Sequence, residues 1–584
     1  MSRIDWIVLV VTLFAIIAYG VYKSRTSRNL DGYFLGDRQM PWWLVLLSIM
    51  GTQASAITFL SAPGQAYTDG MRFVQYYFGL PIAMVIICIA FVPIFHNLKV
   101  YTAYEYLERR FDLKTRTLTS FLFLLSRGLS TGISVFAPSI ILSSLFGWNI
   151  YWTNIFMGGL LIIYTVTGGA KAVAYTQQLQ LIIVFTGMFA AAYIVVKLLP
   201  ANVGFIDALK VSGKLGKLNV ITSGMKANGK FNWSDQYNLW SGIIGGFFLA
   251  LSYFGTDQSQ VGRYLTAKST TQSRIGLLMN GLVKVPMQFA ILLIGALVFT
   301  FYQFKPAPLF FNDLQVRKVE NTVYADSLKS IQKQYDSLNI IKEGYVAAFV
   351  KAYQQNTPTD GLEKNWKQTQ LQTDALRTQF KSIVKTKEVG GDDNDTNYIF
   401  LHFVVDYLPV GLVGLLIAII FLASWGSIAA ALNSLASCTM VDFHRRFSKK
   451  ELSGEQEYRL SKWYTLVWGV FCIIIAMFAY NLGNSLIEAV NVLGSLFYGV
   501  ILGIFLVAFF LKRVGGKAVF AAAVITELFI LFIFYLIKTK VISLGFLWLN
   551  PIGAGGVILI SQLLQLMFPG RKLTDAAASD KSFQ

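Results

Sequence analysis

The chain is dominated by apolar stretches that recur from its first residues to Phe568. A helix needs about 20 apolar residues to cross roughly 30 Å of hydrocarbon. Its backbone polar groups are then paired within the segment, as the interior of a bilayer requires. The regular alternation of polar and apolar residues that marks barrel strands does not occur. The sequence therefore predicts an all-α membrane protein.

Thirteen of these stretches are candidate transmembrane helices. They lie near residues 4–22, 41–66, 73–96, 119–146, 149–168, 176–197, 239–256, 276–303, 404–438, 463–481, 485–510, 517–537 and 543–568. Short loops rich in Lys and Arg favour the cytoplasmic side, and here they follow the odd-numbered spans. We expect an N-terminus outside and a C-terminus in the cytoplasm of a plasma membrane, which would be the inner membrane of a bacterium.

The composition argues against nucleic-acid binding and against catalysis. The net charge of +19 comes from loops between apolar runs, whereas 55% of the residues are hydrophobic and 14% are charged. All three cysteines lie inside apolar runs, which is not the spacing of a disulfide framework or a metal site. The three histidines lie near span ends, and no phosphate-binding loop or nucleophile elbow is present. We expect no enzyme activity and no nucleic-acid partner.

One polar insertion, 305–398, interrupts the apolar pattern. Its Lys and Arg residues nearly balance its Asp and Glu residues. Ala325–Lys351 and Glu363–Lys387 are predicted to be amphipathic helices joined at the turn signal Asn356-Thr357-Pro358. The favoured interpretation is a helical hairpin packed on the external face, and the alternative is a lid or a docking site for a protein partner.

Two spans carry polar residues at positions where their burial in the lipid interior would be costly. The second span is small and polar from Gly51 to Thr58 and then reads Pro63-Gly64, which favours a helix that unwinds near the middle of the membrane. The ninth span contains hydroxyl and amide oxygens from Ser424 to Asn433, which suit a hard cation such as Na⁺. The alternatives are close helix packing through small residues for the second span and interhelical hydrogen bonding for the ninth.

Several sequence segments together resemble the sodium:solute symporter family. They are Asp31-Gly-Tyr-Phe-Leu-Gly, Ser55-Ala-Ile-Thr-Phe-Leu-Ser-Ala-Pro, Thr102-Ala-Tyr-Glu-Tyr-Leu-Glu-Arg-Arg-Phe, Tyr164-Thr-Val-Thr-Gly-Gly, Gln258-Ser-Gln-Val-Gly-Arg-Tyr-Leu and Ala431-Leu-Asn-Ser. Each segment alone is weak evidence for the family, but the occurrence of all of them in this order is specific to it. The iodide, vitamin and sialic acid branches are more similar to this chain than the glucose branch.

The resemblance implies a core of ten helices in two inverted repeats of five, with a discontinuous first core helix. The implied divisions are 1–40 for an extra helix and loop, 41–304 for core helices one to seven, 305–398 for the insertion, 399–511 for core helices eight to ten, 512–568 for two extra helices and 569–584 for a tail. It also implies a sodium site at Gly51, Ala54, Ala423, Gly426 and Ser427. The family usually has two adjacent hydroxyl residues where this chain has Gly426-Ser427.

A second departure from the family concerns Gln177. Many members carry Asp in a Trp-Thr-Asp motif that is linked to Na⁺ exit or to a second Na⁺, whereas this chain reads Tyr175-Thr176-Gln177. A neutral amide removes the charge attraction, and Arg127 would add a fixed positive charge near this region. We therefore expect no strong second sodium site.

The substrate positions implied by the resemblance come from six core helices. They are Gln53, Ser55, Thr58, Phe73, Tyr77, Ser130, Tyr253, Lys284 and Asn491, with Arg127 and Gln177 as possible anion-binding or charge-balancing groups. Sugars, sialic acids, monocarboxylates, vitamins and inorganic anions all fit these motifs. The implied function is sodium-coupled import of such a solute by alternating access. A proton-coupled carrier, a uniporter and a non-transporting receptor that uses the insertion are the alternatives.

Overall fold

The computed structural model describes residues 1–24, 30–448, 452–479 and 485–567, and all regular structure in these ranges is helical. The predicted tail, 569–584, lies outside the described residues. Ten described helices are long and apolar enough to cross a membrane, or eleven when one sharply bent pair counts as a single span. Two shorter apolar helices, Ile150–Val166 and Ser241–Thr256, lie at two further predicted positions. The all-α membrane class is confirmed, and the count of thirteen spans stays a prediction.

The main helices are numbered here in chain order. They are α1 (Arg3–Ser24), α2 (Trp42–Gln53), α3 (Ala56–Asp69), α4 (Met71–Leu98), α5 (Leu113–Phe146), α6 (Ile150–Lys197), α7 (Phe205–Lys214), α8 (Ser241–Thr256), α9 (Gln258–Tyr264), α10 (Thr270–Phe304), α11 (Asp313–Glu320), α12 (Ala325–Gln354), α13 (Asp360–Val384), α14 (Thr396–Tyr407), α15 (Leu412–Cys438), α16 (Gly454–Ala479), α17 (Leu486–Phe510), α18 (Gly516–Lys538) and α19 (Leu549–Met567).

The predicted break in the first core helix is confirmed. Helices α2 and α3 are separated at Ala54 and Ser55 and bend by 61° relative to each other. In a continuous helix the Ser55 N–H would bond to the carbonyl of Gly51, but here it donates to the carbonyl of Gln53 at 3.1 Å. The Gly51 carbonyl therefore loses its helical donor in the middle of a transmembrane segment.

A second break lies at Asp257, between α8 and α9. Asp257 has extended backbone angles, φ −77° and ψ 119°, and its carboxylate caps α9 by accepting from the Ser259 N–H at 2.8 Å. An N-cap carboxylate satisfies a backbone donor that has no partner within the helix. The seventh predicted span, 239–256, ends where α8 ends, but the break itself was not predicted. Core helices one and six, which open the two implied repeats, are thus both interrupted.

Helix α6 contains the predicted fifth and sixth spans. The Tyr164 and Thr176 hydroxyls are 2.6 Å apart although twelve residues separate them in the chain. A straight helix would place their Cα atoms about 18 Å apart. The helix therefore bends sharply between these residues, so that its two parts form separate legs, as the two predicted spans require.

The predicted start of the ninth span at residue 404 was wrong. Residues up to Tyr407 belong to α14, and α15 begins only at Leu412. Pro409 and Gly411 separate the two helices, and Gly411 has a φ of 91°, which side chains other than glycine rarely adopt. The apolar run continues through this turn, so hydropathy alone did not reveal it.

The insertion forms the predicted helical hairpin. Helices α12 and α13 match the two predicted amphipathic helices, and Asn356 in the turn has a φ of 55°. The hairpin and the segment before it share a separate apolar cluster of Leu309, Phe310, Val319, Leu328, Ile331, Tyr335, Phe380, Ile383 and Val384. The buried Trp366 on α13 donates to Gln303 on α10 at 3.1 Å, which fastens the hairpin to the membrane domain.

Candidate functional site

A central cavity with about 980 Å³ of empty space opens beside the break between α2 and α3. Its walls come from that break and from helices α4, α5, α8, α15 and α17. Polar residues that are rare within transmembrane helices are concentrated here because the break and the packing of six helices expose them to a common space. The cavity is therefore the candidate solute site.

Most of the predicted substrate residues line this cavity. Six of the nine do so, namely Gln53, Ser55, Thr58, Tyr77, Tyr253 and Asn491, together with the predicted Arg127 and Ser427. The structure does not place Phe73, Ser130 or Lys284 on its wall. The roles of all these residues stay predictions, but the structure brings most of them to one place.

The three predicted residues that do not line the cavity are all buried. Phe73 stacks on Tyr76, which itself lines the cavity, at a ring distance of 5.5 Å. The Lys284 ammonium lies 5.5 Å from the centre of the Tyr77 ring. Ser130 is buried, and its hydroxyl has no hydrogen-bond partner among the described residues. Phe73 and Lys284 therefore pack against tyrosines of the wall, and none of the three residues lines the cavity.

Lys284 belongs to a buried polar stripe on α10. Asn280, Lys284 and Gln288 are spaced four residues apart, so they share one helix face. All three are fully buried, and their side-chain polar atoms have no hydrogen-bond partner among the described residues. The spacing also places Lys284 between Gly276, which contacts α2, and Gly295, which contacts α3. Lys284 is thus close to the level of the first break.

Among the described residues Arg127 is the one charged side chain on the wall of the central cavity, and it is paired. Its guanidinium forms an ion pair with the Asp257 carboxylate, which is completely buried. It also donates to the Tyr498 hydroxyl at 2.9 Å, and that hydroxyl donates to Asp257 at 2.9 Å. The second break thus supplies the acid that neutralises Arg127.

Tyr253 lies against this ion pair. The Arg127 guanidinium is 5.2 Å from the centre of the Tyr253 ring, and Gln260 donates to the Tyr253 hydroxyl at 2.7 Å. A cation over an aromatic face is attracted by the negative face of the ring. The ring is thereby held in place at the wall of the cavity.

Gln177 lies between the helices that carry the candidate sodium ligands. Its amide donates to the Gly426 carbonyl on α15 at 3.1 Å and to the Thr52 hydroxyl on α2 at 3.3 Å. The Ser48 hydroxyl donates back to the Gln177 oxygen at 3.0 Å. A Cβ added at Gly51 would lie 2.9 Å from Gln177, so the two are in close contact. Gln177 therefore joins α2, α6 and α15.

The remaining candidate sodium ligands lie near the same helices. Ser427 lines the cavity, and its hydroxyl donates to the Ser424 carbonyl at 3.0 Å. Ala54 forms the break in the first core helix, and Ala423 is buried on α15. Among the described residues no group of three or more His, Cys, Asp or Glu side chains could hold a metal ion. The candidate ligands are therefore neutral oxygens.

Sequence reasoning missed three important side chains. Tyr76 and Tyr498 line the cavity, and Asp257 neutralises Arg127. Asp257 directly follows the apolar seventh span, and an acid at that position was a signal that a helix cap or a buried ion pair was present. Nothing local distinguishes Tyr498 from the other aromatic residues of its span.

Comparison with known proteins agrees with this architecture. The sequence profile of the sodium:solute symporter family matches residues 33–323 and 376–526, which is most of the chain. The chain belongs to the sodium:solute symporter family. The symporter is also similar to the sodium/sialic acid symporter NanT of Aliivibrio fischeri, with 24% identity over 98% of this chain and 95% of that one.

Two further proteins illustrate the range of the family. The sodium-dependent multivitamin transporter of Oryctolagus cuniculus is 26% identical over 87% of this chain and 66% of its own length. The solved structure of a substrate-bound, outward-open Na⁺-coupled sialic acid symporter superimposes with a TM-score of 0.73 at 22% identity, over 97% of this chain and 98% of that one. The latter likeness shows that the two share a fold.

Proposed function

We propose that this sodium-coupled symporter carries a small, uncharged, hydroxylated solute in its central cavity. The ion pair between Arg127 and Asp257 is the observation that carries the proposal. A carboxylate solute is bound most favourably by an unpaired cation, because a buried charge without a partner is costly. The Arg127 charge is already matched, so the cavity presents neutral hydrogen-bonding groups to its ligand.

The wall chemistry supports a ring-shaped solute. Tyr76, Tyr77, Tyr253 and Tyr498 supply aromatic faces, and amide and hydroxyl groups lie between them. Binding sites combine large apolar surfaces with a few polar groups that fix orientation. A monosaccharide or cyclic polyol offers both an apolar ring face and a rim of hydroxyls. Stacking against Tyr253 is our proposal for its innermost contact.

Sodium is proposed to bind between the first break and α15. The supporting observation is that the Gly51 carbonyl has lost its helical donor, as the N–H of Ser55 donates elsewhere. Unwound carbonyls of discontinuous helices are typical cation ligands in transporters. Carbonyls of Gly51, Ala54 and Ala423 and the hydroxyl of Ser427 are the proposed ligands.

Gly426, the fifth sodium ligand expected from the sequence, is left out of this proposed set. Its carbonyl accepts a hydrogen bond from the Gln177 amide, so sodium would compete with Gln177 for that oxygen. A site that lacks this ligand, and lacks the second hydroxyl found in most relatives, is expected to hold sodium weakly.

Coupling follows from the shared position of the two ligands. The break between α2 and α3 contributes both proposed sodium ligands and the solute-binding Gln53 and Ser55. Each ligand therefore favours the conformation in which the break is ordered, and linkage makes this effect reciprocal. The proposed cycle is alternating access, in which both ligands bind from one side and leave from the other.

Uptake into proteoliposomes tests the proposal. Labelled monosaccharides and cyclic polyols should accumulate in an inward sodium gradient, and neutral analogues should compete better than carboxylated ones. Accumulation that only carboxylated solutes inhibit would contradict the proposed solute class.

A matched pair of serine variants on α15 tests the sodium site. Ser427→Ala should raise the half-saturating sodium concentration by about tenfold, because one charge-assisted contact is lost. Ser437→Ala removes a comparable hydroxyl, which donates to the Ser434 carbonyl at 3.0 Å away from the cavity, and should have little effect. Equal effects of the two substitutions would contradict the proposed site.

A further inference from the structure

A second cavity, with about 1310 Å³ of empty space, lies under the insertion. Its walls come from α12 and α13 of the hairpin, from the ends of α3 and α10, and from the loop after α7. Six of its side chains are cationic, namely Lys214, Lys217, Lys342, Lys367, Arg377 and Lys381. We propose that this basic cavity binds a small organic anion that carries two or more carboxylate or phosphate groups.

The acids around the cavity do not balance these cations. Glu363 pairs with Lys214 and Lys367, both at 2.6 Å. Asp395 pairs with Arg377 at 2.6 Å and with Lys381 at 3.1 Å. Asp374 is the third acid, and its carboxylate accepts a hydrogen bond from the Gln370 amide at 2.9 Å. Glu363 and Asp395 are thus each shared by two cations, and Asp374 is the one acid among the described residues of the cavity wall, so the wall carries more positive than negative charge.

Lys342 and Lys217 are the two cations of the wall that form no ion pair with a described acid, although the more distant Asp374 carboxylate attracts both. Lys342 is 3% exposed and makes no hydrogen bond or ion pair with the described residues. Lys217 donates to the backbone carbonyl of Thr68 at 2.6 Å and lies over the Phe299 ring. A buried ammonium is normally paired, because its desolvation is costly. An anion between these two lysines would supply the missing partner.

The remaining wall favours an organic anion over a simple inorganic one. Tyr67, Phe299 and Tyr335 place aromatic surface inside the cavity. Gln303, Gln370 and Thr378 add neutral hydrogen-bonding groups. Carbon-containing parts of a ligand would pack on the rings while its charged groups reach the lysines, which is how ligand cavities usually divide their surface.

The positive charge of the cavity reflects placement and not composition. Across 305–397 the basic and acidic residues nearly balance, with 13 Lys or Arg and 12 Asp or Glu. Most of those acids face elsewhere, and the cations on the inner faces of α12 and α13 point at a shared space. Such separation concentrates the positive electrostatic potential inside a concave site.

This cavity is independent of the central one. The two share no lining residue, and the inference does not rest on the proposed sodium coupling or solute. Carboxylate and phosphate groups occur both on soluble molecules and on anionic lipid headgroups. We favour the soluble source, because the cavity is formed largely by the polar hairpin rather than by lipid-facing surface.

Calorimetric titration of the purified full-length protein with citrate tests the inference. The titration uses potassium salts at constant ionic strength, without sodium and without a transported solute, so the central site does not contribute. Lys342→Met should weaken citrate binding by about tenfold or more, since it removes a charge-assisted contact without changing side-chain volume greatly. Lys351→Met, on the exposed face of the same helix, should bind citrate like the unmodified chain.

Folding and lipid controls complete the experiment. Lys342→Met should melt at the same or a higher temperature than the unmodified protein, so weaker binding would not reflect unfolding. A parallel titration with short-chain phosphatidylglycerol replaces citrate. The absence of saturable citrate binding, equal losses in both lysine variants, or saturation by phosphatidylglycerol but not by citrate would overturn the proposal.

Discussion

Arg127 and Asp257 lie on different helices, and each tolerates burial because the other neutralises it. Their ion pair has a third member, the Tyr498 hydroxyl, which accepts from one and donates to the other. Removing only one charge of such a hydrogen-bonded pair is costly, because the remaining charge keeps its desolvation penalty without a partner. The pair therefore holds α5, α9 and α17 together at the base of the central cavity.

Asp257→Asn should destabilise the protein more than the loss of both charges does. The single substitution leaves Arg127 buried without a counter-charge, which costs about 3–5 kcal/mol. The double variant Arg127→Gln with Asp257→Asn removes both charges and should recover part of that loss. Thermal melting in detergent measures the effect. Additive losses in the double variant would show that the two residues do not depend on each other.

The buried Lys342 should make the stability of the protein depend on pH. Burial lowers the pKa of Lys342 from 10.5 to about 8. Between pH 8 and pH 10.5 the unfolded chain then binds more protons at this group, so its contribution to stability rises with pH in that window. Without added anion, Lys342→Met should melt higher than the unmodified protein at pH 7. That advantage should shrink between pH 8 and pH 10.5, and a constant difference would contradict the argument.

At the scale of elements, close packing against the broken helix depends on small residues of α10. A Cβ added at Gly295 would lie 2.1 Å from the Pro63 carbonyl, which is part of α3. A Cβ at Gly276 would lie 3.3 Å from the Trp42 carbonyl at the start of α2. Helix α10 thereby runs along both halves of the break, and it fixes their relative angle.

Gly295→Ala should destabilise the protein by about 1–3 kcal/mol, because the new methyl group collides with backbone that cannot move away. Gly159→Ala is the matched control, since no atom lies within 4 Å of its added Cβ. That control should be neutral or slightly stabilising, as alanine favours a helix over glycine. Melting temperatures compare the two. Similar values for both would show that α3 can shift to make room.

At the scale of the whole molecule, ion stoichiometry depends on how three helices meet at Gln177. The amide bridges α2, α6 and α15, where a carboxylate would attract another cation. The unmodified protein should therefore show sodium-dependent uptake with a Hill coefficient near one.

Gln177→Asp should lower the half-saturating sodium concentration by about tenfold, since a nearby opposite charge in a partly desolvated site is worth several kcal/mol before its own burial cost. Gln178→Asp adds the same charge one residue further along α6 and should have a smaller effect. A Hill coefficient near two for the unmodified protein would contradict the expected single sodium site.

The sequence predicted those features that depend on neighbouring residues. Long apolar runs indicate helices in any context, and the polar stretch after Gly51 marked the first break. The hairpin of α12 and α13 was also predictable, because an amphipathic period and an Asn-Thr-Pro turn are local patterns. The turn at Gly411 was hidden inside a continuous apolar run, and the break at Asp257 was missed.

The tertiary structure alone decided which polar groups meet. Arg127 and Asp257 are 130 residues apart, and Gln177 and Gly426 are 249 residues apart. Hydropathy and residue spacing describe one segment at a time, whereas an ion pair or a shared cavity forms only when distant helices pack side by side. The sequence by itself therefore determined a helical membrane protein with a broken core helix. Packing determined that Arg127, on the wall of the central cavity, is neutralised by Asp257. Packing also determined that a separate basic cavity lies beneath the hairpin.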